Sequence, residues 1–212
     1  MKIGVIFDLD GTLLNTLEDL TDAVNVALSQ NGYPPRTLEE MRSFVGNGAA
    51  NMIRRAAPEG VDQKPIMDAF LAWYGPHCQD KTGPYDGIME ALCELKGEYP
   101  LAVVSNKPDY AVKLMCEAIF PGVYGVGEQA GVPRKPAPDL LYTAMKQIGV
   151  ETCIYIGDSE VDLETASNAG VPCISVLWGF RTKQELLEAG ASVFCAHPRD
   201  LKVIVDALAK TL

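Results

Sequence analysis

Short, continuous apolar runs, separated by segments of helical periodicity, constrain the fold of this chain more than any other feature. The first four runs are apolar at consecutive positions, which is typical of parallel strands covered by helices on both faces. Because strand and helix patterns alternate, the sequence predicts an α/β fold with a Rossmann-like, doubly wound parallel sheet. The predicted strands are Ile3–Phe7, Leu101–Ser105, Cys153–Ile156, Cys173–Leu177 and, more weakly, Ser192–Cys195.

Helical patterns occupy the segments between these strands. Gly149 and Gly170 follow two of the patterns and are expected to end those helices in the left-handed conformation. A final helix should pack on the sheet. The predicted helices are Asp86–Lys96, Pro108–Ile119, Pro138–Ile148, Ser159–Ala169 and, approximately, Leu201–Leu212.

Residues 15–82 have helical periodicity and no convincing buried strand. One apolar stripe ends at Asn31-Gly32, and Thr37 with Glu40 can form a capping box for the next helix. Further helical patterns cover Asn51–Ala57 and Pro65–Tyr74. We therefore predict an α/β core made of residues 1–14 and 83–212, with a small α-helical domain, 15–82, inserted after the first strand.

The charge balance excludes several classes of partner. Lysine and arginine number 18, aspartate and glutamate number 28, and the formal net charge is −10. Such a surface repels nucleic acids and anionic membranes. No apolar run approaches the ~20 residues of a membrane span, and the amino-terminal run is too short for a secretory signal. The six cysteines contain no C-x-x-C pair, so we expect buried thiols and a cytoplasmic protein.

Two acidic clusters follow predicted strands. Asp8-Leu9-Asp10-Gly11-Thr12 comes directly after the first strand, and Gly157-Asp158-Ser159-Glu160-Val161-Asp162 follows the third. Ligands bind at the carboxyl ends of parallel strands, and closely spaced buried carboxylates need a cation or another partner. The alternative interpretations are a polar turn at the first cluster and helix capping at the second.

Two further polar clusters could bind an anion. Ser105-Asn106-Lys107 ends a strand, where a hydroxyl and free backbone N–H groups suit a phosphate. Lys135 is flanked by a proline-rich loop that restricts its backbone. Taken alone, the ordinary interpretation is favoured for each cluster: a strand-end turn with a helix-capping residue for the first, and a solvated lysine for the second. A parallel sheet would bring all four clusters to one edge.

Together these clusters resemble the four motifs of the haloacid dehalogenase superfamily: D-x-D-G-T, a strand-end serine, Lys-Pro, and G-D-S-x-x-D. Other stretches are similar to the phosphoglycolate phosphatase group within it: Arg42-Ser43-Phe44-Val45-Gly46-Asn47-Gly48-Ala49, Pro84-Tyr85-Asp86-Gly87, Ser105-Asn106-Lys107-Pro108 and Trp178-Gly179-Phe180-Arg181. The resemblance implies hydrolysis of a small phosphorylated metabolite and identifies the helical insert as a cap.

The resemblance also implies a role for each site residue. Asp8 would be the nucleophile and Asp10 the general acid and base. Mg²⁺ would be held by Asp8, the backbone carbonyl of Asp10 and Asp158, with Asp162 supporting the site. The phosphate would be bound by Ser105, Lys135 and the N–H groups near Gly11 and Asn106.

Substrate choice and assembly remain open at the level of sequence. We expect the cap turn Gly46-Asn47-Gly48 to help select the leaving group, because its glycines permit close backbone approach. Arg54 and Arg55 are candidates for binding a substrate carboxylate. The alternative functions are a β-phosphoglucomutase-like phosphotransferase, a pyrophosphatase or nucleotidase, and a non-catalytic phosphometabolite-binding module. The sequence predicts no oligomeric state.

Overall fold

The computed structural model describes residues 2–212 and contains eight strands and ten α-helices in that range. The strands are β1 (Ile3–Phe7), β2 (Leu14–Asn15), β3 (Gly83–Pro84), β4 (Leu101–Pro108), β5 (Tyr124–Glu128), β6 (Thr152–Gly157), β7 (Cys173–Val176) and β8 (Phe194–Cys195). The helices are α1 (Leu17–Gln30), α2 (Leu38–Phe44), α3 (Gly48–Ala56), α4 (Lys64–His77), α5 (Ile88–Lys96), α6 (Asp109–Ile119), α7 (Asp139–Ile148), α8 (Glu160–Ala169), α9 (Lys183–Glu188) and α10 (Leu201–Ala209). A 3₁₀ turn, Pro198–Asp200, precedes α10.

Six strands form a parallel sheet in the order β5-β4-β1-β6-β7-β8. The first strand lies inside the sheet, between β4 and β6. Phe7, its last residue, is paired with Val103 on one side and Ile156 on the other. The predicted parallel α/β class is confirmed, and the carboxyl ends of β1, β4 and β6 meet at one edge.

The apolar strand residues form the core because both faces of the sheet are covered. Ile6, Ala102 and Val104 pack with Leu141 and Ala144 of α7 in one fully buried cluster. Gly149 and Gly170 end α7 and α8 with φ values of 66° and 70°, as predicted. Their left-handed conformation closes each helix before the chain enters the next strand.

The chain divides into two compact units. One contains Met1–Leu13 and Pro84–Leu212, and the other contains Leu14–Gly83. The second unit holds α1 to α4. The Thr37 side chain accepts a bond from Glu40 N, which forms the expected capping box at the start of α2. Short strands β2 and β3 pair where the chain enters and leaves this unit.

Several local features differ from the sequence-based predictions. The strand β5 and the helix α9 were not predicted, and β8 is shorter than Ser192–Cys195. Cys93 is exposed rather than buried. None of the six cysteines forms a disulfide bond within residues 2–212. No helix in this range is long and apolar enough to cross a membrane.

Candidate active site

Three buried carboxylates lie together at the carboxyl edge of the sheet. Asp8 directly follows β1, and its backbone N–H donates to the Ile156 carbonyl at 2.8 Å. Asp158 directly follows β6, and Asp162 lies in the first turn of α8. One oxygen from each of these three carboxylates lies within 4.8 Å of the others. Parallel pairing of β1 and β6 therefore places Asp8 and Asp158 side by side.

Asp158 is fixed by the loop after β7. Phe180 N donates to Asp158 Oδ2 at 2.7 Å, and Thr12 Oγ1 donates to Asp158 Oδ1 at 3.2 Å. Glycines make room for this carboxylate: a Cβ on Gly11 would lie 2.5 Å from Asp158 Oδ2, and a Cβ on Gly179 would overlap Asp158 Cβ. Burial raises the pKa of Asp158 to about 7, and the nearby Asp162 adds to the effect.

Asp162 joins the start of α8 to the site. Its Oδ2 accepts bonds from Ser159 Oγ at 2.6 Å and from the backbone N–H groups of Ser159 and Asp158 at 3.1 and 3.2 Å. The bond from Ser159 N is one half of the capping box of α8. The Cβ atom of any residue at Gly157 would overlap the Asp162 side chain, so glycine is required there. Helix capping and site construction therefore use the same carboxylate.

Lys135 is the buried cation of this cluster, with a side-chain exposure of 2%. Its Nζ lies 2.8 Å from Asp8 Oδ1, 2.8 Å from Asp162 Oδ1 and 3.0 Å from Tyr155 Oη. Burial opposes its charge, but Asp162 and Asp8 outweigh burial and raise the pKa of Lys135 well above its ordinary value. Lys135 therefore remains an ammonium group.

Asp8 is a buried carboxyl group whose neighbours change its pKa in opposite directions. Burial raises the pKa of Asp8 well above its ordinary value, Lys135 lowers it, and Asp162 and Asp158 raise it further. One ammonium group does not offset three neighbouring carboxylates. The site therefore favours an additional positive charge beside Asp8.

The second aspartate of the first cluster contacts a different lysine. Lys107 Nζ lies 2.9 Å from Asp10 Oδ1, and the two side chains are 4% and 16% exposed. Lys107 N also donates to Ser105 Oγ at 3.2 Å. The sequence predicts Lys107 at this edge as part of the strand-end cluster but gives it no role, and the structure pairs it with Asp10.

Asn106 connects the strand-end serine cluster to the lysine loop. Its Nδ2 donates to the Lys135 carbonyl at 3.0 Å, while its buried Oδ1 has no hydrogen-bond partner in residues 2–212. A buried oxygen without a hydrogen bond destabilises the protein unless a further group donates a hydrogen bond to it. This edge therefore has capacity for an additional hydrogen-bonding group.

The donor set fits a hard divalent cation. Asp8, Asp158 and Asp162 offer only oxygen atoms, and the chemistry of such donors suits Mg²⁺ rather than zinc. Four carboxyl groups, counting Asp10, and two lysines lie at this edge, so acidic groups outnumber basic ones. A divalent cation would reduce this excess of negative charge.

The residues predicted for the cap lie in the other unit. Gly46 and Gly48 have φ values of 119° and 77°, which non-glycine residues rarely adopt. Asn51 Nδ2 donates to the Asn47 carbonyl at 3.1 Å, and Arg55 Nη1 donates to the Ser43 carbonyl at 2.8 Å. These bonds brace the turn between α2 and α3 from both sides.

Comparison with known proteins places the chain in a family. The profile of the Haloacid dehalogenase-like hydrolase family matches residues 5–176. The chain belongs to the haloacid dehalogenase-like hydrolases. The resemblance inferred from the four motifs is thereby confirmed.

Relatives of this family cover almost the whole chain. Phosphoglycolate phosphatase 1 of Pseudomonas aeruginosa is 32% identical over 97% of this chain and 80% of its own length. Phosphoglycolate phosphatase of Cereibacter sphaeroides is 33% identical over 84% of this chain and 86% of its own. A crystal structure from Lactobacillus delbrueckii subsp. bulgaricus, proposed to be a phosphoglycolate phosphatase, is 37% identical with a TM-score of 0.90 and covers 97% of this chain and 99% of that one. This haloacid dehalogenase-like hydrolase is a phosphoric monoester hydrolase similar to those phosphatases.

Residues outside the four motifs also contact this candidate site. Tyr155 contacts Lys135, Phe180 N contacts Asp158, and Trp178 Nε1 donates to the Thr12 carbonyl at 2.9 Å. Phe180 is buried, and its backbone N–H holds Asp158. The Trp178-Gly179-Phe180-Arg181 stretch was noted only as a family likeness, and its contacts could not be inferred from spacing.

Proposed function

We propose that this chain hydrolyses a small phosphate monoester through a covalent phosphate on Asp8, with Mg²⁺ as cofactor. The observation that carries the proposal is the buried ion pair between Asp8 and Lys135, 2.8 Å long, beside Asp158 and Asp162. A carboxylate in this setting has an adjacent cation, is excluded from bulk water and lies at the strand edge where ligands bind.

In the first step, the Asp8 carboxylate attacks the phosphorus and the bond to the leaving oxygen breaks. Asp10 gives its proton to that oxygen, so the leaving group departs as a neutral alcohol. Lys135 and the N–H groups near Gly11 and Asn106 stabilise the charge on the phosphoryl oxygens. Ser105 contributes its hydroxyl to the same group.

In the second step, water attacks the phosphorus of the aspartyl phosphate. Asp10, now a carboxylate, takes a proton from this water, and the bond between phosphorus and the Asp8 oxygen breaks. Inorganic phosphate leaves, and Asp8 and Asp10 return to their starting states. Using Asp10 twice requires that its carboxyl group be held in place, which its contact with Lys107 supports.

Asp8, the backbone carbonyl of Asp10 and Asp158 would hold Mg²⁺. When bound, the cation lowers the repulsion between a phosphate dianion and the buried carboxylates. Asp162 accepts bonds from Ser159 and Asp158 N and contacts Lys135, so its role is to orient the ligands and the lysine.

We further assign the substrate class to 2-phosphoglycolate and similar small phosphomonoesters, on the likeness to the named phosphatases. In this assignment the helical segment 15–82 serves as a cap, and its braced turn at Gly46-Asn47-Gly48 selects the leaving group. Arg54 and Arg55 are exposed cations near that turn in the sequence and are candidates for a substrate carboxylate.

The test is a panel of phosphorylated metabolites assayed with Mg²⁺ and ranked by kcat/KM, with p-nitrophenyl phosphate as a general substrate. We expect 2-phosphoglycolate to rank first and Asp8→Asn to abolish both turnover and covalent capture of ³²P. Asp109→Asn, which changes a carboxylate at the start of α6, is the matched control and should retain turnover. Full activity in Asp8→Asn would refute the mechanism, and transfer of phosphate between hexose phosphates would instead support the phosphotransferase alternative.

A further inference from the structure

Tyr155 places a phenol hydroxyl in the interior of the sheet. The residue lies in the middle of β6, is completely buried and packs in the same apolar cluster as Ile6, Val104 and Leu141. Burying a hydroxyl is unfavourable unless it forms hydrogen bonds. An apolar side chain could fill this position in the core, so core packing does not account for the hydroxyl.

The hydroxyl of Tyr155 contacts three parts of the candidate site. Lys135 Nζ donates to Tyr155 Oη at 3.0 Å. Tyr155 Oη lies 3.2 Å from Asp162 Oδ1 and 3.4 Å from the Val104 carbonyl, and these two acceptors compete for its single proton. The hydroxyl therefore links β4, the loop that carries Lys135, and α8.

With Tyr155 in place, every N–H of the Lys135 ammonium group has a hydrogen-bond acceptor. An ammonium group has three N–H bonds and no acceptor. In this structure the three acceptors are Asp8 Oδ1, Asp162 Oδ1 and Tyr155 Oη. Since each N–H has its own acceptor, rotation of the ammonium group is restricted and one N–H stays directed at Asp8.

We propose that Tyr155 is a positioning residue that holds the Lys135 ammonium beside Asp8, where its charge acts on the transferring phosphoryl group, an inference that rests on the phosphatase function proposed above. The hydroxyl acts through Lys135 and is too deeply buried to touch substrate. Its loss leaves one N–H of Lys135 without an acceptor, and the ammonium group gains alternative rotations. The barrier to phosphoryl transfer rises, while substrate binding is little changed.

The variant Tyr155→Phe isolates the hydroxyl. It keeps the ring, whose centroid lies 5.7 Å from Lys135 Nζ, and removes only the three oxygen contacts. We expect kcat on p-nitrophenyl phosphate to fall about tenfold, the order of effect of one hydrogen bond to a charged group, with KM within about twofold. Tyr155→Met, which also lacks the hydroxyl and fills irregular space, should show the same loss.

Tyr99→Phe is the matched control. Tyr99 Oη donates to Asp206 Oδ1 at 2.8 Å, so this variant also deletes a phenol–carboxylate bond, away from the carboxylate cluster. Assays are run well below the melting temperatures of Tyr155→Phe and Tyr99→Phe. Under these conditions Tyr99→Phe should show wild-type kcat. A folded Tyr155→Phe with wild-type kcat, or a loss equal to that in Tyr99→Phe, overturns the positioning role. Absence of phosphatase activity in the wild-type chain would instead overturn the proposed function.

Discussion

Lys107 Nζ lies 2.9 Å from Asp10 Oδ1, and both side chains are largely removed from solvent. This pair joins the end of β4 to the loop after β1. It restrains the one carboxylate of the site that is not part of the buried triad, since Asp10 is 16% exposed while Asp8, Asp158 and Asp162 are buried. The lysine therefore determines where the proposed proton donor points.

We expect Lys107→Met to lower kcat by about tenfold or more, because Asp10 loses the charged partner that orients its carboxylate. Initial rates on p-nitrophenyl phosphate with saturating Mg²⁺ measure the effect. Lys113→Met is the control, since the exposed Lys113 forms a pair of 2.6 Å with Asp109 on α6, and this variant should keep wild-type kcat. Equal kcat in both variants would show that Lys107 does not orient Asp10.

Gly179→Ala should disturb Asp158 without changing any charge. A Cβ at this position would overlap both Asp158 Cβ and the Gly11 carbonyl, so the carboxylate or the loop must shift. Overpacking of this kind costs about 1–3 kcal/mol. We expect a higher Mg²⁺ requirement and lower kcat, read from activity as a function of Mg²⁺ concentration.

Gly97→Ala provides the comparison for that variant. Gly97 has ordinary right-handed φ and ψ angles of −66° and −24°, and the nearest atom to an added Cβ is the Glu94 carbonyl at 3.7 Å. An unchanged Mg²⁺ profile in Gly97→Ala together with a shifted one in Gly179→Ala supports the packing argument. Matching profiles in the two variants would contradict it.

Mg²⁺ should raise the melting temperature of the wild-type chain and not that of Asp158→Asn. A ligand that binds only the native state stabilises it by about 2.7 kcal/mol at 100 times its Kd. Without metal, Asp158→Asn should be at least as stable as wild type, because it removes one of three crowded buried charges. Thermal unfolding with EDTA and with excess Mg²⁺ gives the melting temperature without and with the metal. Glu117→Gln, which changes an exposed carboxylate, is the control and should respond to Mg²⁺ like wild type.

Stability should depend on pH through Asp109. Burial raises the pKa of Asp109, but bonds from Gly127 N at 3.0 Å, from Lys113 and from Gln129 outweigh burial and place the pKa below its ordinary value. A lowered folded pKa stabilises the protein above the ordinary aspartate pKa of about 3.9, and this contribution is lost as pH falls through the folded value. Asp109→Asn should therefore lower the free energy of unfolding by about 1–2 kcal/mol at pH 7 and by less below pH 4.

Urea unfolding at several pH values measures that difference. The exposed Glu151 offers a control, and Glu151→Gln should stay close to wild type throughout. A deficit in Asp109→Asn that is constant from pH 7 to pH 3 would mean that the hydrogen bonds act independently of the carboxylate charge.

The sequence predicts the buried strands well and fails where glycine replaces the apolar pattern. Tyr124–Glu128 reads Tyr-Gly-Val-Gly-Glu, which has little β propensity. The structure shows the reason: a Cβ at Gly125 would lie 2.7 Å from Cys116 Sγ, and one at Gly127 would overlap the Lys107 carbonyl. Close packing of α6 and β4 on this strand requires glycine, and that requirement hides the strand from pattern analysis.

Short elements and shared contacts also escape prediction. The six-residue helix α9 begins with a capping box between Thr182 and Glu185, the same signal that identified α2, but its apolar pattern is too short to confirm it. The four clusters predicted which acids and lysine could meet at the sheet edge. The contacts of Lys107 and Tyr155 depend on the side-chain geometry of neighbouring strands, which sequence spacing does not contain.

The pairing of the two chain segments around residues 13–15 and 83–85 has an evolutionary consequence. Tyr85 N donates to the Leu13 carbonyl at 3.2 Å, and β2 pairs with β3 immediately beyond. The segment between β2 and β3, which contains α1 to α4, therefore connects two positions of the sheet domain as one long loop. The pairing of β2 with β3 already holds the two ends of this loop together. Since the entropy of closing a loop grows only slowly with its length, modules of very different size can occupy this position at similar cost to the sheet. The helical segment 15–82 can thus be lengthened, shortened or exchanged while the carboxylates at the strand ends stay where they are.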